Sequence, residues 1–162
     1  MSRYLSNKTF EPVSYVRTII NQKPIIVRTL IDSGNLFGSI ISEELFHKLQ
    51  LRYSQMWSAT VHTAGSETLM VLGRTTPIQL EIEMISGDFK LQPLVIRGLN
   101  HDVNLGSDFL RKVKGKISFD QKGGRLEIQK ENTPLYNKVQ SLNITSVDAR
   151  FSRLCDRGKG DS

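Results

Sequence analysis

Short apolar runs separated by turn-forming residues make up most of the chain. Residues 13–20 and 25–31 are two such runs, rich in Val, Ile and Thr, and Asn21-Gln22-Lys23-Pro24 lies between them. β-Branched runs of this length on either side of a turn are typical of a β-hairpin. A second turn-forming cluster, Asp32-Ser33-Gly34-Asn35, follows directly, and apolar sequence resumes at Leu36. The pattern therefore predicts a hairpin whose second strand leads into a loop held between two buried strands.

A short helix is predicted after this loop. Ser42 is followed by two acidic residues and then by an apolar group at helical spacing, Leu45, Phe46 and Leu49. A serine at the N-cap accepts a first-turn N–H, and acids suit the positive end of the helix dipole. We expect Ser42 to cap a helix that ends by Leu51.

The rest of the apolar sequence has the two-residue period of strands. Polar and apolar residues alternate over residues 78–83, and small or glycine-containing turns separate the other apolar runs. These patterns predict a mainly β domain with one or two short helices. The predicted strands are residues 59–63, 69–72, 78–82, 91–96, 117–119 and 126–128, the last two paired around Gly123-Gly124.

The length of 162 residues fits a single domain. We place this domain at residues 13–130, after an N-terminal extension of residues 1–12. Apolar density falls beyond residue 130, although Leu135, Val139 and Leu142 keep a helical spacing. Residues 131–162 are therefore interpreted as a C-terminal tail that is weakly helical or disordered.

The formal net charge of +6 raises the question of nucleic-acid binding. The excess is mostly N-terminal, since residues 1–30 carry five Lys/Arg against one acid and residues 31–130 carry twelve against eleven. The one tight basic cluster is Arg111, Lys112, Lys114 and Lys116, and no aromatic residues interleave it for base stacking. We interpret this cluster as a solvated turn or helix end, so that nucleic-acid contact is at most a weak contact with a basic patch.

Other functional classes are disfavoured by composition. No run of about 18 apolar residues predicts a spanning helix, and residues 1–10 lack the apolar core of a secretory signal. We therefore expect no membrane association and a cytoplasmic, intracellular location, with the nucleus left open. A single cysteine, Cys155, and three scattered histidines predict neither a disulfide nor a metal site, and we expect no cofactor.

Asp32-Ser33-Gly34 is the candidate for chemistry, although the tripeptide alone is what many turns contain. Its context carries more information, because four segments in order resemble the retropepsin-like aspartic proteases of the LTR-retrotransposon type. These segments are the apolar-apolar-Asp-Ser-Gly loop at residues 30–34, a hairpin at 63–73, Asp102-Val103-Asn104-Leu105-Gly106-Ser107-Asp108-Phe109-Leu110, and the final strand pair. The resemblance covers about residues 13–128.

This resemblance implies a closed β-barrel acid-protease fold with one lobe per chain. It implies that Leu105 and Gly106 pack behind the catalytic loop, and that a flap over the substrate includes Thr63, Ala64, Gly65 and Ser66. Two residues depart from the family pattern: Asn35 stands where alanine is usual, and Asn104 interrupts an apolar strand. The fold would tolerate Asn104 best if its amide found a backbone partner.

Aspartic protease chemistry needs two carboxylates that share one proton, because like charges about 3 Å apart cannot both ionise. The chain offers one such loop, and Ser107 or Asp108 is better explained as the N-cap of a helix that continues through Phe109. The dyad must then come from two copies of Asp32 across a two-fold axis, so activity requires a homodimer.

Roles for the loop residues follow from this arrangement. Asp32 is the acid and base, Ser33 has a hydroxyl that can fix the loop to its two-fold mate, and Gly34 allows close approach of the backbone to water and substrate. The leading hypothesis is an aspartic endopeptidase that cleaves extended polypeptide, such as a retroelement polyprotein. The alternatives are a catalytically inactive retropepsin-like module for dimerisation or peptide binding, and a basic RNA-associated accessory domain.

Overall fold

The computed structural model describes residues 14–32, 38–62 and 67–136. This part of the chain is mainly β with two short helices, as predicted. The elements are β1 Ser14–Ile20, β2 Val27–Ile31, β3 Ile40–Ser42, α1 Glu43–Lys48, β4 Tyr53–His62, β5 Thr68–Thr75, β6 Ile78–Ile82, β7 Phe89–Leu91, β8 Leu94–Arg97, β9 Val103–Leu105, α2 Ser107–Val113, β10 Lys116–Asp120, β11 Gly123–Ile128 and β12 Glu131–Pro134.

The first two strands form the predicted hairpin. They pair antiparallel from Thr18 opposite Val27 to Ser14 opposite Ile31. Two buried hydroxyls on this pair satisfy each other, since Oγ1 of Thr18 lies 2.7 Å from Oγ1 of Thr29. The hairpin is therefore buried without leaving these polar groups unpaired.

The strands form two sheets, and the larger one is open. Its order is β4-β5-β8-β3-β9-β2-β1-β6-β7, and the smaller sheet has the order β10-β11-β12. The expectation of a closed barrel is wrong in this respect. Closure requires the first and last strands of a sheet to pair, whereas in the described part of the chain β4 pairs only with β5 and β7 only with β6. The apolar core contains residues of both sheets and both helices, among them Ile20, Phe46, Leu80, Phe109 and Leu126.

The helix α1 begins as the sequence predicts. Oγ of Ser42 accepts a hydrogen bond from the N–H of Leu45 at 3.1 Å, and Leu45 and Phe46 are buried. The first-turn residue Glu43 accepts hydrogen bonds from Arg97 of β8 at 2.9 and 3.1 Å. This pairing fixes α1 to the sheet and holds the pKa of Glu43 below its ordinary value of 4.5. No described helix has the length and apolar character needed to cross a membrane.

One predicted strand is divided in the structure. Residues 91–96 form the end of β7 and most of β8, with Gln92 and Pro93 between the two strands. β7 pairs with β6, whereas β8 pairs with β3 and β5. Proline has no N–H for a ladder hydrogen bond, which explains a change of partner at this point.

The fold also extends past residue 130, where the sequence predicted the tail to begin. β12 pairs with β11, and Tyr136 exchanges backbone hydrogen bonds of 2.8 and 2.7 Å with Tyr15. The Tyr136 hydroxyl donates to buried Glu83 at 3.0 Å, and Arg17 lies over the Tyr136 ring. Residues 131–136 are polar, which is why the sequence places them in a tail. Their contacts with Tyr15, Arg17, Glu83 and β11, most of them far away in the sequence, hold them in the fold.

Candidate active site

Asp32 lies where β2 ends. Its N–H donates to the carbonyl of Leu105 at 2.9 Å, which continues the parallel pairing of β2 with β9 by one residue. Leu105 is fully buried, while Asp32 itself is half-buried. The backbone at Asp32 is thus tied to a core strand, and its carboxylate stands at the boundary between core and solvent.

A buried amide contacts this carboxylate. Nδ2 of Asn104 donates to Oδ2 of Asp32 at 3.4 Å, and Asn104 is 5% exposed. Asn104 lies between Leu30 of β2 and Ile40 of β3 in the sheet. Sequence reasoning expected a backbone partner for Asn104 and missed this contact. The signal that could have revealed this contact is the polar Asn104 inside an apolar strand. Its neighbour Leu105 pairs with Ile31, the last residue of β2.

The described chain resumes after Asp32 at Gly38, which lies beside α2. Gly38 has φ of +90°, and a Cβ there would lie 2.8 Å from Oδ2 of Asp108. Gly38 is therefore required both by its backbone conformation and by the close approach of this carboxylate. Sequence reasoning did not single out Gly38, and its signal is a glycine at the exit of a loop that follows a strand.

The N-cap of α2 differs from the prediction. Gly106 occupies the N-cap without a side-chain hydrogen bond, so the assignment of Ser107 or Asp108 to this position is wrong. Asp108 instead lies in the first turn, where an acid interacts favourably with the helix dipole. Its carboxylate lies beside Gly38, close to where a Cβ of that residue would stand.

An ion pair supports the start of β9. Nε of Arg28 lies 3.6 Å from Oδ2 of Asp102, and the carbonyl of Asp102 accepts the N–H of Ser42 at 2.9 Å. Asp102 therefore joins β2, β9 and the start of α1 just before the strand that contacts Asp32. These contacts position the main chain on both sides of the site.

Several predicted site residues lie outside the described residues: Ser33, Gly34, Thr63, Ala64, Gly65 and Ser66. The two arms of the hairpin that carries residues 63–66 are described, and they pair from Tyr53 opposite Thr75 to His62 opposite Thr68. The role of residues 63–66 as a flap remains a prediction. In the described ranges, no group of three or more His, Cys, Asp or Glu side chains is arranged to hold a metal ion.

Comparison with known proteins gives a family match and similar solved structures, of which two are described here. The family model of the retroviral aspartyl protease matches residues 7–132. The retroviral protease-like domain of Ddi1 from Leishmania major has a similar structure, with a TM-score of 0.57 and 20% identity over 78% of this chain and 96% of that one. The EIAV protease complexed with the inhibitor HBY-793 is also similar, with a TM-score of 0.52 and 18% identity over 68% of this chain and 96% of that one. A search of curated proteins finds no match. At these identities, the two structures show a shared retropepsin-like fold.

Proposed function

The chain belongs to the retroviral aspartyl protease family, and we propose that it is an aspartic endopeptidase whose active form is a homodimer with one Asp32 from each subunit. The observation that carries this proposal is the position of Asp32, half-buried at the end of β2 with its N–H bonded to the core strand β9. Such an anchor holds a carboxylate in a fixed place while leaving it open to water and substrate.

The proposed reaction is hydrolysis of a peptide bond by an activated water. Two copies of Asp32 share one proton, because two adjacent carboxylates cannot both ionise. The ionised carboxylate takes a proton from water as the water oxygen attacks the peptide carbonyl carbon, and the protonated carboxyl donates its proton to the carbonyl oxygen. The C–N bond of the tetrahedral intermediate then breaks. The carboxyl that is now protonated gives its proton to the leaving nitrogen, and the other carboxylate takes a proton from a hydroxyl of the intermediate, which forms the new carboxylic acid and restores the single shared proton. The substrate is an extended polypeptide that lies under the hairpin formed by β4 and β5.

The edge of the smaller sheet suits contact with a second copy. β10 is an outer strand, and Phe119 on this strand is 64% exposed. An antiparallel pairing of two β10 strands centred on Ser118 places Lys116 opposite the partner's Asp120 and Ile117 opposite the partner's Phe119. Opposite charges and apolar pairs directly across strands are stabilising, and the arrangement is symmetric as a two-fold dimer requires. We assign the dimer contact to this edge.

Cleavage of a diverse peptide library tests the function. The native chain is compared with Asp32→Asn at pH 4 to 7 and at several protein concentrations, with Glu44→Gln as the matched control because Glu44 is an exposed acid on α1. We expect activity that rises more than linearly with concentration, is lost by about a thousandfold or more in Asp32→Asn, and is retained in Glu44→Gln. Absence of cleavage by a folded native dimer would contradict the proposal and favour the inactive peptide-binding module.

Sedimentation tests the dimer contact separately. Phe119→Asp introduces a charge at the proposed edge and should shift the chain to monomer, with activity recovered only at higher concentration. Met84→Asp, at a position 49% exposed outside the smaller sheet, is the control. A Phe119→Asp chain that dimerises as well as the native one would show that the subunits meet elsewhere, with the protease proposal unaffected.

A further inference from the structure

A groove of about 550 Å³ lies along β7, away from the loop at Asp32 in the sheet order. Its walls come from three places: β7, the last turn of α2, and the end of β11. The lining includes Phe89, Lys90 and Leu91 of β7, Phe109, Lys112 and Lys114 from α2 and its C-cap, and Ile128 of β11. No step of the proposed hydrolysis uses this groove.

The floor of the groove is apolar and well packed. The rings of Phe89 and Phe109 meet edge to face, with centroids 5.7 Å apart and an interplanar angle of 83°. Phe109 and Ile128 are buried, while Phe89 is half-buried. This packing gives the groove a fixed shape and leaves a limited apolar surface for a small aliphatic side chain.

The rim is basic. Lys90, Lys112 and Lys114 are exposed and line the groove together with a single acid, Asp88. None of the three ammonium groups pairs with an acid within the described part of the chain. Two of these lysines stand at the C-terminal end of α2, where the helix dipole favours cations. Lys90 comes from a separate element, so the groove concentrates positive charge beyond what the helix end accounts for.

The strand that borders the groove has one edge without a partner among the described strands. Within residues 14–32, 38–62 and 67–136, β7 is the last strand of its sheet and pairs only with β6, where Lys90 lies opposite Gln79. The backbone of Gln79 bonds to Asn21 on the other side, since its carbonyl accepts the N–H of Asn21 at 2.9 Å and its N–H donates to Oδ1 of Asn21 at 2.9 Å. Backbone groups alternate in direction along an antiparallel strand, so Leu80 and Ile78 bond to β7 and Lys90 directs its own N–H and C=O outward.

We propose that this groove binds an extended acidic segment of another polypeptide, which adds as a strand to the outer edge of β7. The backbone of the segment bonds to the N–H and C=O of Lys90, its carboxylates meet Lys90, Lys112 and Lys114, and a small apolar side chain rests against Phe89. Strand addition supplies main-chain hydrogen bonds, and the charged rim supplies selection for acidic sequence. The proposal stands on the groove and does not depend on hydrolysis at Asp32.

A peptide fits these features better than a nucleic acid does. Phosphates would satisfy the lysines, but the outward N–H and C=O of Lys90 match the repeat of an extended polypeptide. Phe109 is buried and Phe89 is half-buried against it, so the groove offers at most one partly covered ring for base stacking. The strand edge is therefore the feature that separates the two kinds of partner.

The first experiment measures binding through charge. Fluorescence anisotropy is recorded with a labelled peptide of alternating Glu and Val, and with a peptide of equal length in which Lys replaces Glu. Lys90→Glu/Lys112→Glu should weaken binding of the acidic peptide by about tenfold or more. The matched control Lys48→Glu/Lys122→Glu carries the same change of charge at exposed lysines outside the groove and should have a much smaller effect.

The second experiment isolates the strand edge. Lys90→Ala removes the ammonium and keeps the N–H, whereas Lys90→Pro removes both. Proline is tolerated on an edge strand where the N–H faces outward, so thermal unfolding should show both chains folded. We expect Lys90→Pro to bind the acidic peptide about fivefold more weakly than Lys90→Ala does, which corresponds to loss of one hydrogen bond.

Three outcomes would overturn the proposal. The first is equal binding of the acidic and basic peptides, and the second is an equal loss of binding in Lys90→Glu/Lys112→Glu and in its control Lys48→Glu/Lys122→Glu. The third is equal binding of the acidic peptide by folded Lys90→Ala and Lys90→Pro chains. A single-stranded oligonucleotide that binds more tightly than the acidic peptide, is weakened by Lys90→Glu/Lys112→Glu and is indifferent to the change from alanine to proline would assign the groove to nucleic acid instead. All of these readouts are equilibrium binding, so loss of protease activity affects none of them.

Discussion

The strand pair β2–β9 and the hairpin β4–β5 belong to one sheet but are built in opposite ways. All three residues of β9 are buried, and β2 alternates between buried and half-buried positions. β4 is exposed along nearly its whole length and pairs with β5 through two irregularities in register. The first region derives its stability from core packing. In the second, β4 adds little buried surface and β5 adds a few buried residues such as Val71, so backbone pairing carries a larger share of the stability.

This difference matches what each region would do in the proposed protease. A carboxylate that activates water needs a fixed position, which buried strands provide. A hairpin that admits and covers a peptide has to open locally at low cost, and few buried contacts allow that. The contrast predicts that substitutions in the two regions affect stability very differently.

Leu105→Ala is expected to have the largest effect on stability. Leu105 is fully buried in β9 and its carbonyl accepts the N–H of Asp32, so truncation leaves a cavity under the site. We expect the free energy of unfolding in urea to fall by about 2–5 kcal/mol. Met70→Ala in β5, where the side chain is 36% exposed, should cost about 0.5 kcal/mol or less. Equal losses in the two variants would contradict the contrast between the regions.

Gly73→Ala tests whether every position of the β4–β5 hairpin tolerates substitution at little cost in stability. A Cβ at Gly73 would collide with the carbonyl oxygen of Gln55 and lie 2.8 Å from the Tyr53 ring, both on the facing strand. Because the first of these atoms is backbone, we expect a loss of about 1–3 kcal/mol in thermal or urea unfolding. Gly87→Ala has open space around the new methyl group but also a positive φ, so it controls for backbone strain. A Gly73→Ala chain no less stable than Gly87→Ala would show that the two strands can separate here at no cost.

The same contrast explains which features could be predicted from sequence. The β1–β2 hairpin and α1 follow from local patterns, namely β-branched runs around a turn and a serine cap before an apolar stripe. The interruption at Pro93, the glycine N-cap at Gly106 and the polar strand β12 depend on partners distant in sequence. Whether the sheet closes is likewise a property of its two edges, and no local pattern encodes it.

At the candidate site, too, local sequence pattern identifies one residue but not its partner distant in sequence. Asp32 could be identified from its place after an apolar strand, because a turn-forming cluster between two apolar runs is visible in the sequence. The partner of Asn104 could not be identified from the sequence, since Asn104 and Asp32 meet only when β2 and β9 pair in parallel. A buried polar residue demands a partner, but sequence does not say which one.

Asn104→Leu tests whether the side-chain amide of Asn104 orients the Asp32 carboxylate for peptide cleavage. Leucine has a similar volume and suits an apolar strand, so the fold should be retained. Loss of the donor to Oδ2 of Asp32 leaves the carboxylate less firmly oriented, and we expect kcat for peptide cleavage to fall about two- to tenfold with KM nearly unchanged. The free energy of unfolding is measured in parallel. A rise in KM with kcat unchanged would assign Asn104 to substrate contact in place of orientation.

The smallest expected effect concerns the ion pair that joins α1 to β8. The hydrogen bond from Arg97 is the main cause of the lowered pKa of Glu43, followed by the opposing effect of burial and the attraction of the Arg97 charge. A carboxyl whose pKa is lower in the folded state stabilises the fold at pH values above its unfolded pKa, and this contribution disappears as pH falls through the folded value. The pair is largely solvent-screened, so Arg97→Gln should lower the free energy of unfolding only slightly at pH 7 and not at all at a pH well below 4.5. Urea unfolding of both chains at the two pH values measures this difference. A deficit in Arg97→Gln that persists unchanged in acid would mean that packing of the arginine side chain, and not its pairing with Glu43, holds the helix to the sheet.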